Sequence, residues 1–181
     1  MEVQKLELVV GDIKGNREIA YALLVAEQPY FVNQNVIEEE GKLTIESLLT
    51  DEYYSWDKLI TMIDEEKLRH LINIGQLFHA LQDSIYTYNL SPNNLVFSRN
   101  GNPLFVFRGV KGQVPPYDVV SLDEFTVNFK AMIVSLLDKK TSYEKLIEGQ
   151  SPFYKGKLFC ETIMKAENLD EIISLLEEKY L

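Results

Sequence analysis

Residues 95–106 constrain this chain more than any other stretch. Leu95-Val96-Phe97 and Leu104-Phe105-Val106 are short apolar runs, and between them stands Arg99-Asn100-Gly101-Asn102. An Asn-Gly pair takes up positive φ at little cost and suits a hairpin, so the two runs are predicted to pair antiparallel. Upstream lies Tyr86-Thr87-Tyr88-Asn89-Leu90-Ser91-Pro92-Asn93-Asn94, and Phe107-Arg108-Gly109 follows the second run.

This order resembles the catalytic segment of protein kinases, where H-R-D-L-K-P-x-N is followed by a strand, a turn, a second strand and D-F-G. Set on that pattern, Asn89 takes the place of the catalytic Asp, Leu90 matches, Ser91 replaces Lys, and Pro92 and Asn94 match. Phe107-Arg108-Gly109 stands where D-F-G would be, and only Gly109 is retained. Phosphoryl transfer rests on positioning and charge neutralisation, so these changes remove its chemistry. A neutral Asn89 is no base, and Phe107 offers a divalent cation no oxygen. Asn94 has no metal to hold and is expected to hydrogen-bond loop backbone near Asn89, and Asn89, Pro92, Asn94, Phe107, Arg108 and Gly109 are read as structural positions. A hairpin after a Pro-Asn-Asn turn also occurs in many unrelated domains.

Composition narrows the function further. The chain has 181 residues, 46% of them hydrophobic, enough for one domain, or two small lobes sharing an interface, with an ordinary core. A formal net charge of −10 argues against a nucleic-acid partner, which would call for a basic stripe. Cys160 is the sole cysteine and sits among Leu158, Phe159 and Ile163, so a buried thiol in a reducing, cytoplasmic setting is expected. The N-terminus lacks a secretory signal pattern, and no apolar run approaches the ~20 residues of a membrane span. The chain as given is expected to be soluble, with no cofactor and no metal.

In chain order, Val3 to Val10 reads as a strand, and Gly11 and Gly15 are too few for a phosphate-cradling glycine loop. Asn16 is placed to cap a helix that Pro29 ends and that would occupy the place of a kinase αC helix. Tyr30 to Ile37 and Lys42 to Leu49 read as strands around an acidic tip at Glu38, Glu39 and Glu40. No V-A-I-K-like lysine precedes the helix. A short helix around Trp56 to Met62 comes next, then one from Asp64 whose apolar period reaches Ile85. His70 and His79 fall on roughly opposite faces of it and read as structural or surface residues. Past Gly109 there is no A-P-E, and Pro115-Pro116 stiffen the segment. Ser121, Thr141 and Asn168, each with Glu three residues on, start three further helices, the first with Leu122, Phe125, Phe129, Met132, Ile133 and Leu136 facing the core, and another spans Leu158 to Ala166.

With these segments in place, the sequence resembles the EssB/YukC family of type VII secretion components. The likeness is carried by Glu66-Lys67-Leu68-Arg69-His70-Leu71-Ile72-Asn73-Ile74, by Leu90 to Phe97 with Arg108-Gly109, and by Phe129 to Ile133 with Tyr143 to Gly149. The resemblance implies a kinase-like fold without kinase activity, in a longer protein with a transmembrane helix and an extracytoplasmic domain beyond Leu181. The fragment would then lie at the cytoplasmic face of the bacterial cell membrane and touch the membrane only through that missing segment. Partners implied are an FtsK/SpoIIIE-type ATPase, other membrane components and substrates, with room for a homodimer of the full-length protein.

The fold expected is α+β, a protein-kinase-like two-lobe fold with a reduced N-terminal sheet lobe (1–50) and a mostly helical C-terminal lobe (51–181), joined near Leu49 to Trp56. The function expected is a non-catalytic interaction domain, with a partner surface at Glu38, Glu39 and Glu40 or at Tyr53, Tyr54 and Tyr117. The alternative is a divergent ATP-binding phosphotransferase or nucleotide-regulated switch.

Overall fold

Apolar and polar residues alternate along 42–46, and the strand they begin, β3 (Lys42–Leu49), is the centre of the first sheet. It pairs antiparallel with β1 (Glu2–Val9) on one side and β2 (Gln34–Glu39) on the other. Leu43, Ile45, Ser47 and Leu49 face inward and are buried, whereas Thr44, Glu46 and Leu48 are half-exposed on the other face. The β2–β3 hairpin turns at Glu40 (φ 50°) and Gly41 (φ 82°), the left-handed pair that a two-residue primed turn requires. The structure, a computed structural model, describes residues 1–138, 142–149 and 158–181.

Asn16 Oδ1 accepts from Ile19 N at 3.0 Å and starts α1 (Arg17–Val25), which buries Ala20 and Leu24 and ends ahead of Pro29. β2 begins at Gln34 rather than at the expected Tyr30. The preceding residues spend their backbone elsewhere: Val32 N donates to Phe105 O at 3.0 Å and Phe105 N to Tyr30 O at 2.8 Å.

The expected hairpin is present as β6 (Leu95–Phe97) and β7 (Pro103–Phe105), with Val96 opposite Leu104. Its turn holds Gly101 at φ 84° and is closed by Gly101 N donating to Ser98 O at 2.8 Å. β4 (Tyr54–Ser55) brings the Tyr54 ring onto Phe97, centroids 5.7 Å apart. β5 (Tyr86–Thr87) pairs with β8 (Gly109–Val110).

The remaining elements are helices: α2 (Trp56–Ile60), α3 (Asp64–Gly75), α4 (Leu77–Ala80), α5 (Leu122–Asp138), α6 (Tyr143–Ile147), α7 (Leu158–Lys165) and α8 (Leu169–Tyr180). Three departures from expectation occur here. The helix from Asp64 does not run to Ile85: it breaks at Gln76 and stops at Ala80. Gly75, a weak helix former at the end of α3, is also closely packed: a Cβ there would lie 2.9 Å from Phe129 Cε2 and 3.0 Å from Ile173 Cγ1, so neighbouring helices press directly on its backbone. The second departure is at α6, where Ser142 Oγ accepts from Lys145 N at 3.4 Å; Thr141, the expected cap, lies outside the described residues. The third is Leu122, expected in the core and instead exposed, while Phe125, Phe129, Met132, Ile133 and Leu136 are fully buried. Ser121 and Asn168 cap α5 and α8, accepting from Glu124 N at 3.1 Å and Glu171 N at 2.9 Å.

Two compact units group the chain, Met1–Tyr54 with Leu81–Asn89 and Asn94–Val120, and Ser55–Ala80 with Leu90–Asn93 and Ser121–Leu181. The expected division into 1–50 and 51–181 differs from this grouping. Backbone pairing of Tyr30 and Val32 with Phe105, far along the chain, draws the hairpin into the unit of the first sheet.

Candidate functional site

Asn94 organises the loop ahead of the hairpin. Its Oδ1 accepts from Phe107 N at 2.8 Å, and its Nδ2 donates to Phe107 O at 3.2 Å and to Asn89 O at 3.0 Å. The side chain thus mimics a strand partner for Phe107 and clamps the exposed Asn89 by its carbonyl. The next carbonyl back is held as well: Val106 O accepts from Ser47 Oγ at 2.5 Å and from Gln34 Nε2 at 3.2 Å, while Val106 N donates to Asn94 O at 2.9 Å. Gln34 and Ser47 are buried polar residues of β2 and β3 that sequence reasoning missed. Each occupies an inward position in an otherwise apolar alternation, which is the signal that marks them.

Arg108 is 2% exposed, and its Nη2 donates to Leu23 O (3.1 Å), Leu24 O (2.7 Å) and Ala26 O (2.5 Å), the terminal carbonyls of α1. The guanidinium carbon lies 4.6 Å from the Tyr86 ring centre and 5.4 Å from that of Phe31. Among the described residues its Nε and Nη1 have no hydrogen-bond partner, and no carboxylate pairs with it. Burial pulls the guanidinium below its ordinary pKa, while the partial negative charge of the helix end and the ring faces favour the cation. Sequence marked Arg108 as a degenerate position without seeing that it ties to α1.

Gly109 is set by close approach rather than by its φ. A Cβ there would meet Thr87 Oγ1 and lie 2.5 Å from Pro115 O, and Thr87 Oγ1 itself donates to Pro116 O. Pro92 is buried in the 3₁₀ turn Pro92–Asn94, and beside it Leu90 O accepts from Tyr143 Oη at 3.1 Å, a phenol that burial pushes up to about 12.

The expected partner surface divides. Glu38 accepts from Arg17 Nη1 at 2.9 Å and Tyr21 Oη at 2.7 Å, so it fastens β2 to α1; Glu39 and Glu40 are exposed. The three tyrosines are half-buried, not exposed, and occupied within the chain. Tyr53 packs on Val32, Leu49, Val96 and Val106, Tyr54 stacks on Phe97, and Tyr117 Oη donates to Asp12 O at 2.6 Å beneath Lys14. The rings of Tyr53 and Tyr54 found apolar neighbours that their linker position in sequence did not reveal.

His70 is fully buried with Nδ1 2.6 Å from Glu66 O, and burial lowers its pKa; His79 is exposed and 3.3 Å from Asp170 Oδ1. Among the described residues no group of three or more His, Cys, Asp or Glu is arranged to hold a metal, and no helix is long and apolar enough to cross a membrane.

These features define an α+β domain organised around a backbone-clamping asparagine loop, and comparison with known proteins gives that class its family. The family model for the WXG100 protein secretion system (Wss) protein YukC matches residues 9–181, and the chain belongs to this family. Type VII secretion system protein EssB of Staphylococcus aureus, in strains USA300 and Newman, is 32% identical over 174 residues, covering 96% of this chain and 39% of the relative. The chain therefore spans about two fifths of the length of those relatives. The crystal structure of the S. aureus EssB cytoplasmic fragment superposes with a TM-score of 0.88 at 30% identity, covering 97% of this chain and 99% of that one. The Geobacillus thermodenitrificans EssB cytoplasmic fragment shares the fold, with a TM-score of 0.83 at 15% identity, covering 97% of this chain and 83% of that one.

Proposed function

We infer that this chain is a non-catalytic, kinase-like interaction domain that supports assembly of a type VII secretion machine. One observation carries the reading: the Asn94 side chain is committed to backbone, its oxygen accepting from Phe107 N and both amide hydrogens going to the carbonyls of Asn89 and Phe107. In a kinase loop the corresponding Asn holds a metal ion beside the transferring phosphate. Here the same residue type at the same spacing serves as a structural clamp. Arg108 supports the reading from the other side. It stands where D-F-G has Phe and is bonded to the end of α1, the helix in the place of αC. Kinase regulation depends on the position of αC, and this contact fixes the helix.

With the chemistry replaced by fixation, the surface is what remains to be used, and partners follow from the resemblance: an FtsK/SpoIIIE-type ATPase, other membrane components and substrates. The test is secretion of small helical-hairpin substrates by cells whose full-length protein lacks only this domain, with membrane insertion followed separately. Lost secretion with normal insertion is expected. Normal secretion overturns the role in assembly, and saturable Mg-ATP binding competed by ADP would favour the phosphotransferase reading instead.

A further inference from the structure

α1 carries more apolar surface than its packing uses. The sequence is apolar without a break from Ile19 to Ala26, yet within the helix only Ala20 and Leu24 are buried. A helix apolar on all sides is ordinarily covered on all sides. At about 100° per residue, Ala20 and Leu24 point one way, and Ile19, Ala22 and Val25 form a stripe on the opposite side. Ile19 and Val25 are 54% and 45% exposed, Ala22 is exposed between them, and Leu23 is half-buried beside Ile19. The stripe is held firmly from behind. Arg17 and Tyr21 are bonded to Glu38 of β2, and Arg108 binds the carbonyls of Leu23, Leu24 and Ala26. A partner therefore meets a prearranged surface and has little ordering entropy to offset.

We propose, on the strength of the interaction role inferred above, that the outward face of α1 docks an amphipathic helix of another secretion-machine protein, its apolar stripe bordered by lysine or arginine. Shape favours a helix as the occupant. Ala22, at the middle of the stripe, ends at Cβ, so a second helix can approach closely there and set its own larger apolar side chains between Ile19 and Val25. Charge selects the border. Glu18 and Glu27 are exposed at the two ends of the stripe, while Arg17, the cation of α1, is already paired with Glu38 at 2.9 Å. The face thus presents negative charge, and a basic border complements it. The same charge disfavours other covers. A second copy would set acid against acid, and an anionic bilayer would be repelled by Glu18, by Glu27 and by a chain of formal net charge −10.

The test has two arms. In the first, the 181-residue chain is titrated into a labelled helical peptide of about 18 residues, roughly five turns, in which a Leu/Ala stripe is bordered by Lys, and fluorescence anisotropy reads binding. Saturable binding that weakens as salt rises is expected. A scrambled peptide of the same composition, or one with Glu in place of Lys, should bind about tenfold more weakly or worse. Ala22→Arg sets a cation in the stripe at a helix-compatible position and should weaken binding about tenfold, as should Glu18→Lys/Glu27→Lys, whereas Val127→Arg, on the exposed side of α5, should bind as wild type does. Unchanged circular dichroism in the variants confirms that the fold persists. In the second arm, cells whose full-length protein carries Ala22→Arg should lose secretion with membrane insertion intact. Normal secretion in these cells, where deletion of the domain abolishes it, overturns the docking face and leaves the interaction role standing; normal secretion after deletion as well overturns that role itself. Absence of peptide binding, equal binding of ordered and scrambled peptides, or binding indifferent to Ala22→Arg also overturns the proposal, and adsorption to phosphatidylglycerol vesicles overturns it in favour of a lipid surface.

Discussion

At the scale of the residue, Asn94 and His70 carry opposite lessons about polar groups. Asn94 makes three backbone bonds, so Asn94→Ala leaves donors and acceptors of the loop unmatched and should destabilise by roughly 1 to 3 kcal/mol. Asn94→Asp should be no better, since a carboxylate facing the Asn89 and Phe107 carbonyls cannot donate to them. A urea midpoint that falls in both variants at constant m-value checks this; an unchanged midpoint would show that the amide is dispensable. His70 is buried and its folded pKa lies below the unfolded value near 6.5. The unfolded chain therefore binds the proton more readily, so the stability this histidine contributes is present above about pH 6.5 and drains away as pH falls toward the folded pKa. Between pH 7.5 and 5.5 the wild type should lose more stability than His70→Gln, read from denaturant midpoints at both pH values.

At the scale of the element, the sequence was most legible where chemistry is local. The Asn-Gly turn, the caps at Asn16, Ser121 and Asn168, and the alternation of β3 all announce their own geometry. What was not legible depends on residues distant in sequence. Gly75 is a weak helix former just ahead of the interruption at Gln76, but nothing in Leu71 to Leu81 shows that Phe129 and Ile173 close on it from other helices. The clamp at Asn94 was readable from its spacing, whereas the burial of Tyr53 and Tyr54 required knowing which apolar surface each ring would meet. The Gly75 contact makes a prediction against intrinsic propensity. Alanine favours a helix over glycine by about 1 kcal/mol, yet Gly75→Ala should destabilise by about 1 to 2 kcal/mol because overpacking costs more. A raised thermal midpoint in this variant would show that Phe129 gives way freely.

At the scale of the whole molecule, the proposed non-catalytic role bears on ligand linkage. A nucleotide present at a hundred times its Kd would stabilise the fold by about 2.7 kcal/mol. Millimolar Mg-ATP is expected to leave the thermal midpoint where it stands, and a rise reversed by excess ADP would contradict the role. The helices that start at Ser121 and Asn168 bury Phe125, Phe129, Ile172 and Leu176 completely, so the surface left for partners is what lies outside that core, including the exposed Glu39 and Glu40.

Arg108 gives α1 an unusual dynamic character. The last turn of a short helix is ordinarily the first to open, and its amide hydrogens exchange with solvent early. Here that turn is the acceptor for a buried cation, and fraying would strand the guanidinium between Tyr86 and Phe31 with nothing to bind. Opening of α1 is thus tied to opening of the segment between β7 and β8 that carries Arg108. In deuterium the amides of Leu24 and Val25 should exchange no faster than that of Phe105, and in Arg108→Met they should become the faster set.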